Sequence, residues 1–537
     1  MKLKKLVSIT FLGFLTAGCA MGGMVPTSVN KATGLQSVAP MYAPIAAASS
    51  VPAAPMAGSP LDADLAGNIS PSLEEINKLK DNFFQNYGVN PFVETTTDHF
   101  STFALDVDTA SYTLMRKFIN EGYLPDKDSV RIEEYINFFD YNYPKPQETA
   151  FTINLDMSPS LFGDTDAKLL RVGIQGKEIK VENRKDAVLT FVIDVSGSMS
   201  LESRLGLVKQ SLTLLVNQLK PNDKVGIVTY GSTAQVVLEH KSVESKKEIL
   251  NAIDSLSTAG STYAEAGIRL GYKQAQKYFK SGAINRVILC SDGVANVGQT
   301  DPNAISEEIK KQSEGGVTLS TIGFGMGNYN DILMEQLADK GDGNYAYVDN
   351  LNEAERVFVQ NLTGTLQIIA KDTKVQVDFN PQVVSQYRLI GYENRDVADI
   401  DFRNDKVDGG EIGSNHNVTA LYEVKLQNDV KNTTEAKLAE IFLRYKDVDN
   451  NNTVKEISKA IYSKDMQRDF KQASASFKLA AAVAEYAEIL KKSYWAKDGN
   501  LENVLVLAKE LEDIEFNNTE KVKEFIELIQ KAIRLYK

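Results

Sequence analysis

Between residues 187 and 366 the chain alternates two hydrophobic patterns. Continuous apolar runs at 187–193, 225–230, 287–290 and 317–322 read as strands buried on both faces. Between them, Leu205, Val208, Leu212, Leu215 and Leu219 recur at steps of three and four, one face of a helix, and 263–279 and 305–313 repeat that spacing. Strand and helix in alternation predict an α/β fold, a doubly wound, Rossmann-like domain with a mainly parallel sheet. Residues 235–238 follow the second run too closely for a helical crossover, so they are expected to pair antiparallel at an edge.

β-rich segments flank this region, at 151–157 and 169–174 before it and at 374–379, 418–426 and 438–445 after it. Neither set has enough strands to stand alone. The α/β domain, 186–367, is therefore expected as an insertion in one discontinuous β-sandwich, 148–185 plus 370–465. Helical spacing dominates an N-terminal module, 72–147, where Ser72 with Glu75 forms a capping box for a helix through about Tyr87, followed by helices around 110–120 and 130–140. It returns in a C-terminal helical region, 466–537. Residues 20–61 instead hold six prolines and one charge, Lys31. No core can form there, and 19–71 reads as a flexible tether reaching about 35 Å on average.

At 537 residues the chain exceeds the ~150 expected of one domain, so several folded units are required. The balance of 59 Lys+Arg against 71 Asp+Glu, a net of −12, repels a polyanion and argues against nucleic acid as a partner. Two Cys and three His, none close together in sequence, exclude zinc fingers and HExxH chemistry, leaving oxygen as the donor for any metal. Lys2, Lys4 and Lys5 precede a largely apolar run at 6–15, an export signal too short to span a bilayer. The following Leu15-Thr16-Ala17-Gly18-Cys19 resembles the lipobox of bacterial lipoproteins. That resemblance implies a signal peptide of 1–18, acylation of Cys19, and a lipid-anchored place in the cell envelope. Ala20 rather than Asp after the Cys suits outer-membrane sorting in a cell with two membranes. Each buried acyl CH2 contributes about 0.8 kcal/mol, so several chains hold a folded domain at a bilayer. Loss of the three leader lysines takes the balance from −12 to −15. Cys290 then has no partner, and no internal disulfide can form.

The chemistry concentrates at strand ends. The first buried run finishes in Asp194-Val195-Ser196-Gly197-Ser198, a later one in Cys290-Ser291-Asp292-Gly293, and Thr262 opens a helix after Gly260-Ser261. Carboxyl ends of strands in open α/β sheets are where ligands bind. Two carboxylates and three hydroxyls with water suit Mg2+, which takes six hard oxygens and few carboxylates. Other motifs read as structure. Asp106-Val107-Asp108-Thr109 resembles the nucleophile motif of haloacid-dehalogenase phosphatases, but Ala110 stands where Thr or Val belongs, and an N-cap near Asp108 fits better. Gly323-Phe324-Gly325-Met326-Gly327 breaks GxGxxG spacing at Asn328, and Asp447 to Asn451 lacks a calcium loop's Gly and Glu, reading as a hairpin turn. Thr262 with Glu265 also has capping-box spacing.

Together, Asp194-Val195-Ser196-Gly197-Ser198, Thr262 and Asp292 resemble the metal-ion-dependent adhesion site of von Willebrand factor A domains. The resemblance implies that Ser196, Ser198 and Thr262 are inner ligands of Mg2+ (or Mn2+ or Ca2+). Asp194 and Asp292 then act largely through water, and an acidic group on a protein partner completes the shell. Outside this domain, Ser101 to Tyr112 (STFALDVDTASY), Val130 to Tyr135 (VRIEEY) and Tyr387 to Arg395 (YRLIGYENR) resemble the YfbK-like group of bacterial lipoproteins. The implied function is metal-dependent adhesion or protein binding at the envelope, without turnover. Two other readings remain open at this point: a metal-assisted hydrolase with Asp194 or Asp292 as base, and a scaffold whose metal site has no function. No GxSxG motif, P-loop or nearby His supports the former.

Overall fold

The computed structural model describes residues 82–105, 108–164, 166–293, 302–327, 329–427, 435–512 and 519–536. The leader, Cys19, the tether, the Ser72 capping box and Asp106 lie outside the described residues. The strands are, in order, β1 (Val93–Glu94), β2 (Phe100–Ala104), β3 (Phe151–Pro159) and β4 (Lys168–Gly176). Then come β5 (Ala187–Asp194), β6 (Lys224–Tyr230), β7 (Ala234–Ser242), β8 (Ile284–Ser291), β9 (Thr318–Phe324) and β10 (Tyr345–Val348). Last are β11 (Ile368–Phe379), β12 (Val384–Ile390), β13 (Gly410–Gly413), β14 (Asn417–Leu426), β15 (Lys437–Asp447) and β16 (Thr453–Tyr462).

One sheet has the order β10-β9-β8-β5-β6-β7. All its pairings are parallel except β6 with β7, an antiparallel edge. Every residue of β5 is buried, as a central strand covered on both faces requires. Helix Arg204–Gln218 covers one face through Leu205, Val208, Leu212 and Leu215. Helices Ala264–Lys277 and Pro302–Glu314 cover the other through Ile268, Tyr272 and Ile309. The sheet and its two helix layers make a doubly wound α/β domain, as the sequence pattern predicts.

The remaining strands make two antiparallel sheets, β1-β12-β14-β4-β3 and β13-β11-β15-β16, with β2 pairing the second half of β11 beyond β13. Their inner faces share one core, including Val172, Val377, Tyr422 and Ile441. Strands before and after the parallel sheet are hydrogen-bonded neighbours, β4 beside β14, so the α/β domain is inserted in a β-sandwich. The chain enters and leaves that insertion at adjacent points, where Lys185 N–H donates to Gln367 Oε1 at 2.8 Å.

Several local expectations change. The helix expected through Tyr87 does not reach it: residues 82–87 contain no helix, and Phe83 bridges Asn330. The segment assigned to an N-terminal helical module contributes two strands to the sandwich, β1 and β2. Its helices Ala110–Asn120 and Ile132–Asn137 share a core with Ala475–Lys491, Leu501–Lys509 and Thr519–Tyr536 at the other end of the chain. The first of them also reaches the parallel sheet's core through Leu114 and Phe118.

Arginines bind these parts together, Arg116 and Arg131 buried and Arg395 partly so. Arg131 pairs with Glu134 beside it and with Asp331 of the α/β domain, and Tyr345 O–H donates to Asp331 at 2.6 Å. Arg116 pairs with Asp349, Glu353 and Glu524. Arg395, from the sandwich, pairs with Asp108, Glu335 and Asp339. Removing one member of a buried pair strands the other charge out of water. Arg131→Met should therefore cost about 3–5 kcal/mol of stability, and adding Asp331→Asn should recover part of that loss. Urea unfolding of the single and double variants checks both.

Candidate metal centre

β5 ends at Asp194, between β6 and β8, and the sheet continues past it as bonds from Val195 N–H to Tyr230 O at 2.9 Å and from Ala259 N–H to Val195 O at 2.6 Å. The buried Asp194 carboxylate is held at both oxygens: Ser196 N–H donates to Oδ1 at 2.8 Å and Ser291 O–H to Oδ2 at 3.0 Å. The turn then brings Ser196 Oγ and Ser198 Oγ within 3.0 Å of each other. Gly197 N–H donates to Gly260 O at 3.1 Å, tying this loop to the one that carries Thr262. Gly260 has φ +82°, and a Cβ there would lie 2.4 Å from Ser232 Oγ, so only glycine fits. Thr262 is half-buried. It does not cap the next helix: that helix starts at Ala264, its N-cap position is Tyr263, and no side chain caps it. Glu265 instead pairs with Arg269 at 3.0 Å.

Asp292 follows β8 and is buried. Its Oδ2 accepts from Arg204 Nη1 at 2.8 Å, and Arg204 Nη2 also donates to Met326 O. The glycine run after β9 serves this arginine, because Gly325, at φ +84°, leaves no room for a Cβ beside the Arg204 side chain. Asn82 fastens the same loop, its Oδ1 accepting from Gly327 N–H at 3.1 Å and Tyr329 N–H at 2.9 Å.

Burial pushes the Asp194 carboxyl up to about 6, and Asp292 pushes in the same direction, while the Ser196 and Ser291 bonds oppose them. An anion so placed is stabilised by an added cation. Among the described residues, no group of three or more His, Cys, Asp or Glu side chains could hold a metal, so an ion at this site would need hydroxyl oxygens as well. Two carboxylates at adjacent strand ends, with Ser196, Ser198 and Thr262 in the neighbouring loops, form a hard-oxygen set that fits Mg2+ or a similar ion.

The other motifs resolve as structure. Asp108 does not cap helix Ala110–Asn120, whose N-cap is Thr109. It accepts from Tyr345 N–H at 2.9 Å and pairs with Arg395 at 3.3 Å. The turn after Asp447 joins β15 to β16 as an antiparallel hairpin, with Asn451 and Asn452 at positive φ. Cys290 is a free, buried thiol that burial pushes up to about 12.

Three family descriptions match successive parts of the chain. They are "von Willebrand factor" over 78–171, "von Willebrand factor type A domain" over 189–364 and "Uncharacterized protein YfbK, C-terminal" over 364–535. Protein YfbK of Escherichia coli is 42% identical over 351 residues, 64% of this chain and 61% of that protein. Protein sll0103 of Synechocystis is 26% identical over 222 residues, 41% of this chain and 51% of its own length. The chain thus spans less than two thirds of either relative. A solved von Willebrand factor type A structure from Catenulispora acidiphila is 14% identical, covers 73% of this chain and 91% of its own, and has a TM-score of 0.43.

Since the buried Asp194 carboxylate makes no ion pair among the described residues, its neutral isostere tests the electrostatics directly. In chelator at pH 7, Asp194→Asn should be at least as stable as the parent protein, because the amide can accept from Ser196 N–H and donate to Ser291 Oγ. Thermal melts of the two proteins provide the comparison.

Proposed function

Taking as premise that this is a YfbK-like protein with a von Willebrand factor type A domain, we propose that it is a lipid-anchored envelope protein that captures a protein partner through a divalent ion at this site. Ser196, Ser198 and Thr262 would hold the ion, with Asp194 and Asp292 supplying negative charge. When bound, Mg2+, Mn2+ or Ca2+ offers a positive position to which a carboxylate of the partner can attach.

The observation that carries this reading is the bonded set of charges. Asp194 and Asp292 contribute −2 and Arg204, on Asp292, contributes +1, leaving −1 for a divalent ion to meet. Occupied, the set stands at +1, and one carboxylate from outside restores neutrality. Arg204 therefore favours an acidic ligand over a site content with the ion alone. Ser196 N–H and Ser291 O–H already hold Asp194, so the carboxylate is positioned rather than free to act as a mobile base. Binding without turnover follows as the simplest use of this geometry. Cys19 would anchor the chain to a bilayer, in the outer membrane where the cell has one.

Mg2+ titrated calorimetrically into the chelated full chain should give saturable binding, weakened at least about tenfold by Ser196→Ala with Ser198→Ala. Envelope proteins retained on the immobilised, Mg2+-loaded chain should be released by EDTA and should not be retained by the double variant. Unchanged retention and EDTA response in that variant would exclude the reading. For the anchor, Cys19→Ala should move the protein from the membrane pellet to the soluble fraction of lysed cells.

A further inference from the structure

The N-terminal helices, the α/β domain, the sandwich and helix Thr519–Tyr536 meet around a cavity of about 140 Å3, far above the roughly 10–15 Å3 that one water needs. None of Asp194, Ser196, Ser198, Thr262 or Asp292 lines it. One wall is the ring of Phe138, with Tyr112 stacked on it at 3.9 Å. Three cations crowd that ring: Lys521 Nζ lies 4.6 Å from its centre, Arg356 Cζ 5.0 Å and Arg116 Cζ 5.5 Å. A larger depression of about 650 Å3 shares Phe138, Arg356 and Lys521 with the cavity, so these two cations stand between the two spaces.

Their bonding is unequal. Arg116 is matched by Asp349, Glu353 and Glu524. Arg356 bonds Glu353 through Nε and Nη2, and Nη2 also donates to Thr109 Oγ1 at 2.8 Å. Its Nη1 makes no hydrogen bond among the described residues. Lys521 makes no ion pair among the described residues, and its ammonium donates to Phe138 O at 2.8 Å. Burial, with Arg356 next, pushes this amine down to about 8, the direction expected of a cation short of an anion. Asp140 also lines the cavity, but its Oδ1 already accepts from Asn142 N–H at 2.8 Å and Asn417 Nδ2 at 3.2 Å. Among the other lining residues, Asn417 Oδ1 and His416 Nδ1 are buried without partners, and burial pushes the His416 ring down to about 4, keeping it neutral.

We propose that this junction binds a small hydroxylated oxyanion. Its phosphate or carboxylate group would take Arg356 Nη1 and the Lys521 ammonium, and its hydroxyls would meet Asn417 Oδ1 and His416. Arginine's fork suits either anion, and the neutral partners in the same lining select for a molecule that also carries hydroxyl donors.

Glycerol 3-phosphate and glycerate, which share a hydroxylated body and differ in the oxyanion, separate the two sources. Each is titrated calorimetrically into the full chain at constant ionic strength, with sodium chloride as control. At least one should bind saturably and raise the melting temperature. Lys521→Met should weaken that binding at least about tenfold, whereas Lys521→Arg should retain most of it. Without ligand, Lys521→Met should melt no lower than the parent, a result that a purely structural lysine would not give. Lys521→Gln, with the same loss expected, serves if the Met variant does not fold. No saturable response to either probe, or parental affinity in the Met or Gln variant, would overturn the proposal.

Discussion

A guanidinium removed from water needs compensating acceptors, and at this protein's junctions those acceptors are carboxylates from different parts of the chain. Arg116 sits on a helix near the N-terminus, yet its partners are Asp349 and Glu353 of the α/β domain and Glu524 of the last helix. Arg388 in the sandwich holds Glu423 on the neighbouring strand and Glu488 on helix Ala475–Lys491, both at 2.8 Å. Separating the modules would leave these charges buried and unmatched or force them all back into water together. The junctions are therefore coupled, and segments remote in sequence behave as one framework.

The same rigidity lets the candidate metal centre be built from few charges. Asp194 and Asp292 come from adjacent strands of one rigid sheet, so backbone pairing alone holds the two strands in register. The serines need only a short turn to follow, and a single glycine, Gly260, lets the Thr262 loop approach. Arg204 then adjusts the charge from the start of the helix that the turn leads into.

What the sequence made legible was what short-range patterns encode. Fully buried strands such as β5 show as unbroken apolar runs, and Asp194, Ser196 and Ser198 follow directly from where that run stops. β16 escaped notice because it is an exposed edge strand whose residues are mostly polar, and β1 is only two residues long. The Arg204 to Asp292 contact spans 88 positions. Its trace, an arginine directly before the apolar face of a helix, resembles an ordinary surface charge. The common core of the N-terminal and C-terminal helices was hidden for the same reason: each amphipathic stripe announces that it is covered, but not by what. Asp108 looked like a cap because its distant partners, Tyr345 and Arg395, leave no local mark.

The hydrogen bond from Lys185 to Gln367 places both ends of the α/β domain at a single neck. A chain that leaves a sandwich and returns to the same spot adds almost nothing to the loop that the sandwich must close, since the intervening residues fold as a unit of their own. In evolutionary terms the α/β domain is a cassette: it can be exchanged, retuned or lost at one hinge-sized seam, while the arginine clamps decide which replacements the host will accept.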